Sequence, residues 1–371
     1  MFLKNLESLR GVAALMVALC HCLLVVTVDG LNNIWFTPFS EVAGIQSGIT
    51  RFLLLFLNGG AAVVVFFVLS GYVLGLSLDK HRITIKQTFG FYVKRIFRLY
   101  PAHIVVLIGI VNLLIGFFNY QEFEAASAWY TLWYESAVGG EQVVKNLTLM
   151  AVDLNHIAWS LQVELAGSLF LPFAYLIARR ANFWVNILML AALVALSKYS
   201  SNLLLIFLYC FYAGLILPQA HQKMGDLLTG TSGTLILILG AILLFGGFTL
   251  VGSKGLFERV LLETAGGVLI IAYLISQHNA DSGINRFLSV DIINRLGRYS
   301  YSFYLLHFFI LYLMAYAMFQ LVSAEILSSM PLLFGIALML VSVPVTFWLS
   351  GKVYQYVEVP MVKVGKKLVG A

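Results

Sequence analysis

Long apolar runs separated by short polar connections dominate this chain. A bilayer-spanning helix needs about 20 predominantly apolar residues. Ten such windows fall near 9–29, 51–78, 100–119, 159–178, 182–198, 201–219, 234–251, 259–277, 300–322 and 331–351. The longest polar connection, near 120–158, is too short for a folded domain of its own. The pattern predicts an all-α integral membrane protein, a bundle of about ten transmembrane helices in a single domain over residues 1–371. No internal repeat is visible.

Composition agrees. The chain is 61% hydrophobic and 11% charged, with a mean hydropathy of +0.92, whereas soluble domains carry about 25% charged residues. Charge then sets the orientation, because lysine and arginine concentrate on cytoplasmic connections. With the N-terminus placed in the cytoplasm, 18 of the 23 basic residues fall on the inner side. They include Lys4, Arg10, six in the 79–99 loop (Lys80 and Arg82 among them), and the tail lysines. Arg51, Lys145, Lys198, Lys254 and Arg259 fall outside. Both termini are therefore expected in the cytoplasm, with an even number of spans. Lys4 and Arg10 before an apolar run also resemble a signal peptide. No small-x-small cleavage site followed by a soluble domain appears, so the first segment reads as a retained anchor.

Ionisable residues inside such spans are costly and mark candidate sites. Arg10 and His21 are eleven residues apart in the first segment, with His21 near its middle. Eleven helical steps put both on one face, roughly 16 Å apart along the axis. His21 reads either as a general base, since a neutral imidazole suits a hydroxyl proton near neutral pH, or as a histidine bonded to a neighbouring helix. Arg10 reads as a charge at a cytoplasmic mouth or as a snorkelling helix end. Cys20, His21 and Cys22 are consecutive, so on a helix they diverge and cannot converge on one ion. No metal is expected, and the three cysteines read as small buried hydrophobes.

Further candidates lie along the chain. Lys94, Arg95 and Arg98 cluster just before a membrane helix, either as a topogenic patch or as a phosphate clamp of guanidinium forks. Ser70 and Gly71, inside the second segment, suit close helix packing or backbone approach to a ligand. Glu164 lies a little over one turn into the fourth helix from the outside. It can orient an imidazole, hold a substrate hydroxyl, or form an interhelical pair. Asn155 and His156 lie just outside and can line an acceptor site, with Trp159 in an interface belt. His307 opens the ninth helix with Tyr301 and Tyr304 on its face, as a satisfied core histidine or a second catalyst. Arg298 belongs at the mouth with Arg10. Pro360 is expected to end the last helix, and Glu358 to pair with a basic residue.

LESLRGVAAL, FFVLSGYVL, KRIFRLYP, AWSLQVEL, LGRYSYSFYLLH and VEVP, in this order over residues 6–360, resemble the membrane-bound acyltransferase 3 family, the bacterial integral-membrane O-acyltransferases. The resemblance implies an enzyme of the bacterial cytoplasmic (inner) membrane. It implies transfer of an acyl group, most often acetyl, from cytoplasmic acyl-coenzyme A to a hydroxyl of a sugar, cell-surface glycan or lipid-linked saccharide. The family's arginine-to-histidine motif maps onto Arg10 and His21. Its other motif positions map onto Ser70 and Gly71, Arg95 and Arg98, Glu164, and His307. His21 and Glu164 then carry catalysis. Arg10, Lys94, Arg95, Arg98, Ser70, Gly71, Arg298, Tyr304 and His307 hold the acyl-coenzyme A, and Asn155, His156 and Trp159 the acceptor. Some relatives add an esterase-like C-terminal domain. This chain stops at Ala371, eleven residues past Pro360, so none is expected, and a glycan-assembly partner protein can take its task. Nucleic acid is not an expected partner. A different class stays open: a secondary transporter with His21, Glu164 and His307 as a proton relay, although no matching halves are visible.

Overall fold

The computed structural model describes residues 4–79, 84–251, 255–277, 280 and 282–370. Lys80, Arg82, Lys254 and Ala371 lie outside them. In chain order the first helices are α1 (Lys4–Cys22), α2 (Ile45–Phe56), α3 (Gly59–Asp79), α4 (Ile85–Phe117), α5 (Ala128–Thr131), α6 (Gly140–Leu147), α7 (Trp159–Ala178), α8 (Phe183–Lys198) and α9 (Leu203–Ile206). Then come α10 (Leu208–Met224), α11 (Gly230–Val251), α12 (Leu256–Ser276), α13 (Gly283–Leu288), α14 (Asp291–Leu321), α15 (Ala324–Ser329), α16 (Pro331–Val353) and α17 (Val359–Leu368). The all-helical architecture agrees with the hydropathy pattern.

Among the described residues, eight segments are long and apolar enough to cross a membrane. The two other windows of the sequence reading also form helices, α1 and α8, but fall short of that criterion. α1 carries Lys4, Glu7 and Arg10 in its first turns. α8 has only 16 residues. Residues 85–99 are not a loop. Thr84 and Gln87 form a reciprocal cap, which starts α4 at Ile85 and puts Lys94, Arg95 and Arg98 inside a 33-residue helix. Pro360 does not end a helix either. α16 passes through a π turn, Tyr354–Glu358, and Pro360 sits in the first turn of α17, where its missing N–H costs nothing.

α3 is hydrophobic all round and buried, with α1, α7, α10 and α12 packed against it. Glycines set how closely these helices approach. A Cβ on Gly71 would lie 2.0 Å from the Phe211 carbonyl oxygen, and one on Gly214 2.0 Å from that of Val68. α3 and α10 therefore touch backbone to backbone. Gly11 and Gly297 do the same for α1 and α14: a Cβ on Gly11 would meet the Gly297 nitrogen at 2.5 Å. That contact fixes α1 against α14, and with them His21 against His307.

α1 stops at Cys22, well short of the residue-29 boundary that hydropathy suggests. The next residues, Val25-Val26-Thr27-Val28, are β-branched and extended, and Val26 bridges Ala126. Unwound backbone at membrane depth must be satisfied by protein. Here Thr27 N–H donates to the Ala125 carbonyl at 3.0 Å, Ser127 N–H to that of Val25 at 3.0 Å, and the Ser127 hydroxyl to that of Leu24. A second segment also dips into the bundle: Leu154, Asn155, Ile157 and Ala158 are all buried. These two re-entrant stretches meet over the end of α1.

Candidate functional site

Two layers of polar side chains stand along α1. The first surrounds Arg10, at the end where α4 and α17 present their lysines. Arg95 Nη2 donates to Glu164 Oε1 at 2.6 Å, and Arg95 Nε to Ser168 Oγ at 3.1 Å. Ser70 Oγ donates to the same carboxylate oxygen at 3.2 Å. The arginine and glutamate side chains are only 10% and 16% exposed, so this is an internal ion pair with its hydrogen bonds filled. Arg10 and Arg98 are half-buried beside it, within electrostatic reach of each other and of Glu164. Among the described residues neither forms an ion pair. Arg98 also faces the buried Glu358, which accepts from the Ser302 hydroxyl. Exposed Arg298 and half-buried Lys94 flank this layer.

The second layer surrounds His21, in the last turn of α1 rather than the middle of a longer helix. His21 Nδ1 lies 3.1 Å from His307 Nε2. His307 is 2% exposed, and its Nδ1 lies 2.7 Å from the Tyr304 carbonyl oxygen. A carbonyl only accepts, so His307 Nδ1 carries the proton and donates it. A buried imidazolium with no carboxylate would be costly, so His307 is neutral and its Nε2 is bare. The contact between the rings then requires His21 Nδ1–H to donate to His307 Nε2. His21 Nε2 is left as a lone pair, and among the described residues no hydrogen bond reaches it. Trp129 and Phe308 wall the ring, with centroids 5.0 and 6.0 Å away.

An internal cavity of about 30 Å³ joins the layers. Arg10, Glu164, Ser160, Phe66, Tyr301 and Tyr304 line it, with the Ser160 hydroxyl donating to that of Tyr304 at 3.0 Å. The Tyr304 ring is 5.4 Å from that of His307. A separate bowl of about 710 Å³ opens in the connection between α4 and α7, lined wholly by residues between Leu132 and His156. Its floor is His156 and Trp133, with ring centroids 4.0 Å apart. Trp133 also packs on Phe308 at 5.5 Å, and Phe308 on His21. Partial burial in the bowl's rim pushes the Asp153 carboxyl up. Hydrogen bonds from Gln142 and Asn146 outweigh this and hold it below the usual carboxylate range.

The sequence candidates thus divide. Arg10, Arg95, Arg98, Glu164 and Ser70 share one layer, and His21, His307 and Tyr304 share the other. Glu164 pairs with Arg95 and Ser70; the group that orients the His21 ring is His307. Gly71 spends its bare face on the Phe211 backbone, so it is a packing contact. Asn155 is 1% exposed and donates to the Leu305 carbonyl at 3.1 Å, which pins a loop rather than lining the bowl. Trp159 is half-buried and follows a stretch that dips inward. It packs between Phe67 and Phe207. Trp129, Trp133 and Asp153 escaped the sequence reading. Their signal was an aromatic run, WYTLWY, inside a connection otherwise counted as polar.

A helical membrane protein with a lone-paired imidazole, a small basic cavity and an open bowl fits the class of polytopic membrane enzymes. The sequence comparison names the family. A model of the acyltransferase 3 family, described as an acyltransferase domain, matches residues 3–351, and the chain belongs to that family. Neither the curated proteins nor the solved structures compared with it provide a match.

Proposed function

We propose that this membrane acyltransferase carries an acyl group, most often acetyl, from acyl-coenzyme A on the cytoplasmic side to a saccharide hydroxyl entering through the bowl. The observation that carries the reading is the chain of hydrogen bonds from His21 through His307 to the Tyr304 carbonyl. It leaves His21 Nε2 as an oriented base between the two openings. The acceptor O–H gives its proton to Nε2 as its oxygen attacks the thioester carbonyl. The C–S bond then breaks, and the leaving thiolate takes the proton back from Nε2. The new ester and free thiol are the products, and His21 returns to its starting state. During the first step a positive charge forms on the ring. It sits at the C-terminal end of α1, where the helix dipole stabilises a cation by about 0.3–1 kcal/mol.

Arg10, Arg98 and Lys94 remain for the donor's phosphates, since Arg95 is committed to Glu164. The cavity near Arg10 has room for a few water molecules at most, so admitting a pantetheine arm requires Phe66 and Tyr304 to move aside. On this reading the arginine end faces the cytoplasm, the bowl faces outward, and the membrane is the bacterial inner membrane. A separate glycan-assembly protein can supply the acceptor.

The test is transfer of label from radiolabelled acetyl-coenzyme A to a surface glycan by purified protein. A general base contributes about 10²–10⁴-fold, so His21→Ala should lower turnover at least a hundredfold while the protein stays folded. Near wild-type turnover in that variant would refute the assignment. Uptake of a solute without covalent change would point instead to a transporter.

A further inference from the structure

The bowl carries a charge pattern that the transfer chemistry does not need. Its charged lining groups are Glu141, Lys145 and Asp153. Glu141 and Lys145 cancel, because they pair at 2.6 Å one turn apart on α6. Asp153 is left over. Its Oδ1 accepts from Asn146 Nδ2 at 2.6 Å, and its Oδ2 from Gln142 Nε2. These two amides hold the carboxylate in place, and each oxygen keeps a lone pair for a further donor. The lining therefore sums to one net negative charge, and its one lysine, Lys145, is already engaged by Glu141. Glu122, Glu124 and Glu135, in the same connection, have the same sign.

The rest of the lining suits an uncharged polyol. Trp133 and His156 make an aromatic floor, and the apolar faces of pyranose rings stack on such surfaces. The Trp133 indole Nε1–H is buried and has no acceptor among the described residues, so a sugar hydroxyl could satisfy it only where a shift of the ring uncovers it. Gln142 and Asp153 stand on the rim as acceptors for hydroxyl protons.

Resting on the reading of the bowl as the acceptor site, we infer that it filters acceptors by charge: it takes neutral or amino-bearing saccharides and rejects uronates and other acidic sugars, with Asp153 as the specificity-determining residue. A uronate carboxylate seated beside Asp153 would meet a like charge, which at about 4 Å weakens binding about fivefold in bulk water and far more near a protein surface; for the exposed Asp153 about tenfold is expected.

The experiment is equilibrium dialysis on the full chain in zwitterionic nanodiscs. The probes are a neutral glucose trisaccharide and the same trisaccharide with one glucuronate. At low salt the neutral sugar should bind about tenfold more tightly. Asp153→Asn should reduce that ratio to about threefold or less while the neutral sugar still binds, because an asparagine oxygen can still accept from its neighbours. Salt near 0.5 M should do the same by screening. Equal binding of the two sugars by the wild type, or a ratio that Asp153→Asn does not move, would overturn the charge filter and leave the acceptor site standing. If neither sugar binds the wild type, the bowl is not the acceptor site and the filter falls with it.

Discussion

Arg95 meets Glu164 as a charged pair, whereas His21 meets His307 as two neutral rings. Both contacts join distant helices, α4 to α7 and α1 to α14. In the first, each charge finds its counter-charge, and Ser70 and Ser168 take up further hydrogen bonds. In the second, the chain of donors runs one way and ends on an empty nitrogen. A filled network stabilises a fold, and an unfilled one is available for chemistry. Sequence reading treated Glu164, His21 and His307 alike, as intramembrane polar residues, and put Arg95 in a basic cluster just before a membrane helix. The comparison separates them by what each has left to bind.

Removing one partner tests the difference most strongly in the charged layer. Breaking a buried ion pair by truncating one member costs about 3–5 kcal/mol. Arg95→Ala should therefore cause a large loss of thermal stability in detergent, because Glu164 keeps its carboxylate without a partner. Arg95→Met combined with Glu164→Leu should recover much of it. If Arg95→Ala melts like wild type, the layer is not the structural pair described here.

Next in size is the orienting ring. His307→Ala removes the acceptor for His21 Nδ1–H and frees the tautomer. Turnover should fall by about 10–100-fold, of the order seen when a residue supporting a reactive ligand is lost, with little change in donor KM. His307→Gln should retain more activity, since its amide oxygen can accept the same proton. Equal loss in the two variants would mean that His307 only fills space.

These predictions also show how far the sequence could be read. Arg10 and His21 share a face because helical periodicity is rigid, and that was visible from spacing alone. The end of α1 was not. Hydropathy ranks LLVVTV as membrane core, and only its β-branched content hints that the helix unwinds there. The start of α4 was legible in the Thr84-to-Gln87 cap but hidden by the charges that follow. The pairing of Glu164 with Arg95 depends on how deeply the stretch before Trp159 dips. That depth is set by long-range contacts such as Asn155 to Leu305, which no local pattern encodes. The bowl is the extreme case, since it exists only where the long connection between α4 and α7 folds back on itself.

Arg98 offers a smaller contrast with Arg95. It lies one helical turn further along α4 and has no ion pair among the described residues. Arg98→Ala should raise the KM for acyl-coenzyme A and cost clearly less stability than Arg95→Ala, since it removes a charge facing Glu358 but no direct ion pair. A melting loss comparable to that of Arg95→Ala would erase the distinction between the two arginines.

The smallest effect concerns pH and the bowl's rim. The Asp153 carboxyl is held below its ordinary value by Gln142 and Asn146. A carboxyl whose folded value is depressed binds fewer protons in the ordered loop than in the opened one. The ordered loop is thus favoured in full above the ordinary carboxylate value of about 3.9, and the preference is lost as pH falls through the lower native value. Hydrogen exchange of the α6 backbone should therefore quicken modestly below about pH 4 in the wild type. Asp153→Asn has no proton to gain, so its exchange in that range, corrected for intrinsic rates, should stay flat. Parallel acid dependence in the two proteins would assign the loosening to another carboxylate, with Glu141 and its partner Lys145 the next pair to test.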